Sequence, residues 1–475
     1  MTRRTGPLGP ALAVAVALVL SACTAGDYRS GPASPATTST TAVATSTTAL
    51  ARATTASCPA VPPRASPDPA RPRYTLSADV HPSDGTVAGQ LRVLFTPDQD
   101  TDRLVFRLWP NGPRASAAGT KLEAGPVTVA GRPATSTLDD PTILVVRTGA
   151  TFAAGAQVDV ALSWKLTVTG PADDRISRNG DALRLGSFFP ILPWEPGVGW
   201  DTDPAVGDFA EASTAPTADF DLTVTVPDGF GVLASGSPDP ARPGHFSAVA
   251  MRDVAMSVGR FTTASAVAMA PQPVQVTVGI AQGLGGAVGT YLDRVVRSLE
   301  DYGTRFGPYP WPTFTLAVTP ALGGGIEYPG HVMQGPDTLG VTSHEVGHQW
   351  FYGLVGNDQG RDPWLDEGLA TWAEARFDDM LATFKSRVIP VAARNMLGQP
   401  MTYWSAHTSA YQDGVYTQGA QALAALGDPA LVDCALRVYV AVNAYRIARQ
   451  ADLVRAASAV FPDAAATLTA YGVKG

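Results

Sequence analysis

The spacing of apolar positions changes character along the chain. Tyr74, Leu76, Ala78 and Val80 alternate with small or polar residues, and Leu91, Val93 and Phe95 resume the alternation after Gly85 supplies a turn. A period of two buries one face of a strand and leaves the other in water. The pattern returns over 104–109, 143–146 and 158–168, and most cleanly at Phe220, Leu222, Val224 and Val226 ahead of the turn Pro227-Asp228-Gly229. Strands of this kind separated by turn residues predict an antiparallel β-sandwich or saddle domain over residues 71–265. The stretch 188–200 interrupts the rhythm with Pro190, Pro193 and Pro196 among aromatics, and reads as a structured loop against a neighbour.

Val274, Val276, Val278 and Ile280 form one more alternating strand, after which Val288, Leu292, Val295, Leu299 and Tyr302 repeat at helical spacing. Residues 314–318 read as a strand. From about Pro336 the pattern is helical, with Leu365, Leu369, Trp372 and Phe377 on one face. The expected class is α+β, an N-terminal β domain followed by a mainly helical domain over 266–475.

Upstream the sequence cannot build a core. Residues 23–70 are mostly Ser, Thr, Ala and Pro and predict a disordered tether. Before them, Arg3 and Arg4 precede an apolar run over 11–20 that is too short to cross a ~30 Å hydrocarbon core but suits a signal peptide. The run ends in Leu20-Ser21-Ala22-Cys23, which resembles a bacterial lipobox. That resemblance implies export, removal of residues 1–22, and lipidation of Cys23 to anchor the protein at the extracytoplasmic face of the cell membrane; the plainer reading is an ordinary cleavage site. Cys58 and Cys434 either pair in an oxidising compartment or remain thiols.

Composition narrows the partners. Hydrophobic residues make up 45% of the 475, which excludes wholesale disorder, and a formal net charge of -8 provides no footprint for a phosphate backbone. Nucleic acid is not an expected partner.

Glutamate is scarce, yet Glu327, Glu345, Glu367 and Glu374 fall in one short span. His344-Glu345-Val346-Gly347-His348 is an HExxH motif: histidines at i and i+4 share a helix face, so both imidazoles reach one Zn²⁺. Glu367, in Trp364-Leu365-Asp366-Glu367-Gly368, supplies a carboxylate from the next helix. Two imidazoles and one carboxylate leave a fourth position open, the mark of a catalytic rather than a structural zinc site. Glu345 points past the metal toward that position and is placed to act as general base.

The surrounding wording resembles the aminopeptidase N family of zinc peptidases, the gluzincins that include leukotriene hydrolases. Gly324-Gly325-Ile326-Glu327-Tyr328-Pro329 is similar to the family's Gly-Gly-Met-Glu-Tyr-Pro strand. His348-Gln349-Trp350-Phe351-Tyr352-Gly353, Gly356-Asn357-Asp358 and Trp364-Leu365-Asp366-Glu367-Gly368 follow family wording, and Tyr416-Thr417-Gln418-Gly419-Ala420 resembles its Tyr-x-Lys-Gly-Ala. The match is strong over 306–380 and weak over the strands. It implies a thermolysin-like catalytic domain with one Zn²⁺ per chain on His344, His348 and Glu367, Glu345 as base and Tyr416 as oxyanion donor. Glu327 would then hold the α-ammonium of a peptide substrate, and the backbone at Gly324 and Gly325 would bind the peptide.

Tyr403 and Tyr411 are near enough in sequence to compete for the tyrosine role. Glu374 is either a hydrogen-bond partner of a zinc histidine or a surface carboxylate, and His331 and His407 read as ordinary loop or core histidines. Departures from the family are Asp366 for Asn, Ile326 for Met, and Gln418 for a Lys, whose loss removes a charge near the oxyanion. Glu195 is the candidate for a second amine anchor. With the chain ending at Gly475, the resemblance implies that the helical C-terminal domain of longer relatives is missing, leaving an open cleft. The expected function is removal of N-terminal residues from peptides, with a thermolysin-type zinc endopeptidase and a non-catalytic surface-binding lipoprotein as the alternatives.

Overall fold

The computed structural model describes residues 50–207, 214–336 and 338–475. The signal-peptide run, Cys23 and the tether as far as residue 49 lie outside the described residues.

The alternating segments assemble a ten-stranded sheet. Near its middle, Arg73–His81 pairs antiparallel with Thr86–Phe95 and parallel with Ala218–Thr225, setting Tyr74 opposite both Val93 and Phe220. Since side chains alternate across a strand, this register gathers Tyr74, Leu76, Val93, Phe220 and Leu222 on one buried face. The stretch 188–200 lies against that face. Its Leu192 N–H donates to the Tyr74 hydroxyl at 3.1 Å, the Phe189 ring meets Tyr74 edge-on, and Trp194–Glu195 pairs with Gly199–Trp200 as a short hairpin. A four-stranded sheet completes the β domain, with Gly231–Ala234, Met256–Gly259, Ala182–Leu185 and Ile176–Asn179 in spatial order.

The second domain is built on a five-stranded sheet with the spatial order Phe261–Met269, Pro273–Ala281, Thr313–Val318, His331–Gln334 and Gly325–Tyr328. Phe261–Met269 pairs along its whole length with Pro273–Ala281, so one strand of this sheet spans the 265/266 position read from the sequence pattern. Pro273–Ala281 and Thr313–Val318 run parallel and are joined by the helix Val288–Phe306, which buries Val295, Leu299 and Tyr302. Gly325–Tyr328 is an edge strand with one side of its backbone unpaired.

The two domains meet over His331. Its Nδ1 lies 2.7 Å from Thr315 Oγ1 and its Nε2 3.0 Å from Ser257 Oγ of the four-stranded sheet. Full burial pushes its pKa down to about 3, so the imidazole is neutral. Arg184 crosses the same seam, donating to Thr319 Oγ1 at 3.2 Å and to the carbonyl of Ala321 at 2.9 Å.

Residues 50–70 are not the free tether that their composition predicts. The N–H groups of Ala53, Ser57 and Ala65 donate to the carbonyls of Ser458, Val460 and Ala441, while Arg64 reaches the Pro308 carbonyl. Leu50, Val61 and Ala65 pack against the core, and Cys58 forms a disulfide with Cys434 on the helix Pro429–Asn443. A few apolar contacts, carbonyls offered by the helical domain and one covalent bond order a segment that has no core of its own.

Candidate active site

The HExxH residues lie on the short helix Thr342–Gly347 and its C-cap, His348; Glu367 comes from the helix Trp364–Phe377 packed beside it. The first helix is anchored from outside. Tyr302 donates to the Ser343 carbonyl at 2.9 Å, and Arg294 donates to Ser343 Oγ at 2.8 Å and to Asp378 at 2.6 Å. Buried on both sides, the two helices hold their ligands with little freedom.

His344 Nε2 and Glu367 Oε2 are 3.0 Å apart, His344 Nε2 and His348 Nε2 are 3.1 Å apart, and His348 Nε2 and Glu367 Oε2 are 3.4 Å apart. The His348 Nδ1–H donates to the Phe351 carbonyl at 3.1 Å, which leaves the Nε2 lone pair facing inward. Glu374 Oε2 lies 3.4 Å from His344 Nδ1, orienting that ring in the same way. Three lone-pair atoms converging in a buried space repel one another unless a cation or a proton lies among them. The donor set of two nitrogens and one carboxylate oxygen fits Zn²⁺.

The electrostatics agree. Burial disfavours the imidazolium forms, but Glu367 and Glu374 around His344, and Glu327 and Glu367 around His348, outweigh it, so both rings are strongly cation-favouring, His348 with its pKa pushed up to about 10. Burial alone would raise the Glu367 carboxyl, yet the two imidazoles hold it well below the usual range.

Glu345 is buried, and its Oε2 has no hydrogen-bond partner among the described residues. Burial, reinforced by Glu327 and Glu367 and opposed by the imidazoles, pushes its carboxyl up to about 8. The edge strand passes so close that a methyl group on Gly325 would fall 2.4 Å from the Glu345 carboxyl carbon, whereas one on Gly324 would meet nothing within 4 Å. Glu327 faces the same space: Glu327, Glu345 and His348 each offer an atom within 4.8 Å of the others.

Tyr416 lies in a π-helical turn, Gln412–Thr417, and its ring stacks on His344 at 5.6 Å and 16°. The other two tyrosines do not share this position. Tyr403 donates to the Ala392 carbonyl at 2.6 Å and stacks on His407, and Tyr411 meets Tyr416 edge-on.

Two expectations need correction. Glu195 is no free anchor for an amine, because its buried carboxylate pairs with Arg449 and lies 3.9 Å from Arg361 Nη1. Gln418 does not simply delete a charge; its amide donates to the carbonyls of Ala393 at 2.8 Å and Gly414 at 3.1 Å and accepts from Asn395 N–H at 2.9 Å, bracing the loop beside the π-turn.

Two functional residues escaped the sequence reading. The amide of buried Gln359 donates to Glu327 Oε1 at 3.1 Å and to Asp366 Oδ2 at 2.6 Å, tying the edge strand to the Glu367 helix, while Asp366 Oδ1 sits 3.6 Å from His348 Nδ1. Gln349 accepts from Gly330 N–H at 2.8 Å and donates to the Tyr328 carbonyl at 3.1 Å, clamping the hairpin to the HExxH segment. The only signal was that Gln349 stands inside a stretch of family wording and Gln359 directly follows one.

Paired imidazoles one turn apart and a carboxylate from the next helix, with Glu345 beside them, form a site of the kind that can hold a catalytic zinc ion. Residues 291–467 match the Peptidase family M1 domain. The chain is 35% identical over 101 residues to endoplasmic reticulum aminopeptidase 1 of Mus musculus, covering 18% of this chain and 11% of that protein. It is 31% identical over 98 residues to leukotriene A-4 hydrolase of Xenopus laevis (19% and 16%) and 34% identical over 85 residues to aminopeptidase B of Rattus norvegicus (16% and 13%). The matches thus span less than a fifth of those relatives' length. Its fold resembles an M1 zinc metallopeptidase from Deinococcus radiodurans, with a TM-score of 0.64 at 20% identity over 85% of this chain and 93% of that one. A variant of that protein has been solved bound to a Tyr-Ser-Ala substrate.

Proposed function

We propose that the protein is a zinc-dependent aminopeptidase that hydrolyses N-terminal residues from peptides, with one Zn²⁺ per chain held by His344, His348 and Glu367. The observation that carries this reading is the placement of two further buried carboxylates, Glu345 and Glu327, beside the converged ligands, with Glu327 on an edge strand. When bound, the metal polarises the scissile carbonyl and acidifies a water. Glu345 accepts the proton of that attacking water and passes it to the departing amine. The Tyr416 hydroxyl donates to the oxygen on which negative charge develops. Glu327 pairs with the α-ammonium while the strand backbone pairs with the peptide, which selects a free N-terminus.

We further propose export and lipid anchoring through Cys23 at the extracytoplasmic face of the membrane; mass spectrometry of the mature N-terminus, showing a diacylated or triacylated Cys23, is the test.

The decisive assay compares kcat/KM for a free-amine peptide with that for its N-acetylated twin, with zinc measured on the same sample. The expected result is a strong preference for the free amine that Glu327→Ala largely abolishes. A ratio near one in the wild type, unchanged by Glu327→Ala, would replace this reading with a thermolysin-type endopeptidase. Absence of any hydrolysis by the zinc-loaded protein would favour a binding lipoprotein.

A further inference from the structure

The strand that carries Glu327 is fastened from behind by the β domain. Tyr328 is fully buried, and by strand alternation it faces away from the space that Glu327 enters. Its hydroxyl lies 3.0 Å from Ser187 Oγ and accepts from Arg175 Nη1 at 3.3 Å. The Ser187 hydroxyl donates to Asp253 Oδ2 at 2.9 Å, and Asp253 Oδ1 accepts from the Val254 N–H at 2.7 Å. A serine hydroxyl has one proton, so with that proton on the Asp253 bond the Tyr328 hydroxyl is the donor to Ser187. The result is a directed chain, Tyr328 to Ser187 to Asp253, in which every buried hydroxyl has a partner.

The β domain is shaped around this tyrosine. Ser187 has φ +46°, a left-handed conformation that a serine adopts only where its surroundings impose it. Gly186, just before it, has no room for a side chain: a Cβ there would fall 2.4 Å from the Tyr328 hydroxyl oxygen and 2.6 Å from two ring carbons. A tight, strained turn built to receive one hydroxyl is more than general packing requires. On the opposite side of the strand, Gln359 holds Glu327 at 3.1 Å, so the edge strand is gripped from both faces at adjacent residues.

We propose that Tyr328, Ser187 and Asp253 are positioning residues that fix Glu327 at the height of the substrate's ammonium group, so that the β domain sets the preference for a free N-terminus. This rests on the aminopeptidase reading above. None of the three is placed to touch the reacting atoms. They act by holding the backbone of a strand whose free edge is the peptide-binding surface, and a carboxylate displaced from its ammonium partner loses a directional, charge-assisted bond.

The test uses the full-length, zinc-loaded protein and the variants Tyr328→Phe and Ser187→Gly, assayed on a free-amine peptide and its N-acetylated twin, with zinc content and Tm recorded. Tyr328→Phe keeps the ring and removes the hydroxyl. It should raise KM for the free-amine peptide about tenfold, the scale of one hydrogen bond, while leaving kcat within about threefold and the acetylated substrate unchanged. Ser187→Gly should lower the free-amine preference similarly, with the relief of the positive φ offsetting part of the stability lost with its two buried hydrogen bonds. A merely structural network would instead depress both substrates together. A free-amine preference that is large in the wild type and unaltered in both variants overturns this inference alone; a wild type with no preference overturns the aminopeptidase reading beneath it.

Discussion

His331 offers a measurable consequence of the way the domains are joined. Its imidazole is neutral because burial between Thr315 and Ser257 pushes its pKa down to about 3, against 6.5 for the ordinary side chain. The unfolded chain therefore takes up the proton first as pH falls. The stabilisation is fully present above about pH 6.5 and is lost progressively down to pH 3, which is the sign expected for a depressed histidine. By pH 5 the loss is about 2 kcal/mol, and over the whole interval it approaches 5 kcal/mol, a large share of the roughly 5–15 kcal/mol that holds a typical protein folded. The assay is urea unfolding at pH 8 and pH 5 for the wild type and for His331→Gln, whose amide offers a donor and an acceptor but takes no proton in this range. Other titrating groups contribute equally to both proteins and cancel in the comparison. The wild type should lose about 2 kcal/mol more than the variant between the two pH values. Equal losses would mean that the imidazole does not stay neutral and buried, and would refute the seam as described.

Replacing Glu345 with Gln should leave zinc bound while turnover falls by about 10²-fold or more, whereas His348→Ala should lose the metal, both read from zinc content alongside kcat. Tyr416→Phe should lower kcat more than it changes KM, since its hydrogen bond strengthens as charge develops; a change in KM alone would assign the role to another tyrosine. Removing the disulfide with Cys58→Ser and Cys434→Ser should cost about 2–4 kcal/mol of stability, seen as a lower Tm, with kcat unchanged because the 50–70 segment is bonded to no residue of the metal group.

How much of this was legible in the sequence depended on the range of the interaction involved. The period-two runs gave the strands around Tyr74 and Phe220, and the period near 3.6 gave the helix of Val295 and Leu299, because burial of one face is written locally. The metal group was legible for the same reason: His344 and His348 lie one turn apart, and Glu367 stands a fixed distance further on. Glu195 went the other way, since nothing near it in sequence shows that Arg449 and Arg361 occupy its carboxylate. Gln359 and Gln349 are polar residues in a loop and a helix end until the edge strand folds against them. The segment 50–70 misled by composition, because its order is lent by carbonyls and a cysteine near the far end of the chain.

That borrowed order also fixes where a pull on the N-terminus is felt. Tension applied upstream of residue 50 meets the hydrogen bonds at Pro462, Ser458 and Val460 before it passes through the disulfide into Cys434. The neighbouring Asp433 accepts from Arg305 at 2.9 Å, from Arg376 at 3.1 Å and from Trp372 Nε1 at 2.8 Å, the last two on the helix that bears Glu367. The load is therefore taken up by the most cross-braced part of the helical domain and never reaches the first strand of the β sheet, although that strand comes next along the chain. A molecule held by its N-terminal end against flow would bear the strain through a covalent bond and a carboxylate held by two guanidinium groups and an indole N–H, and the strand that presents Glu327 would stay slack.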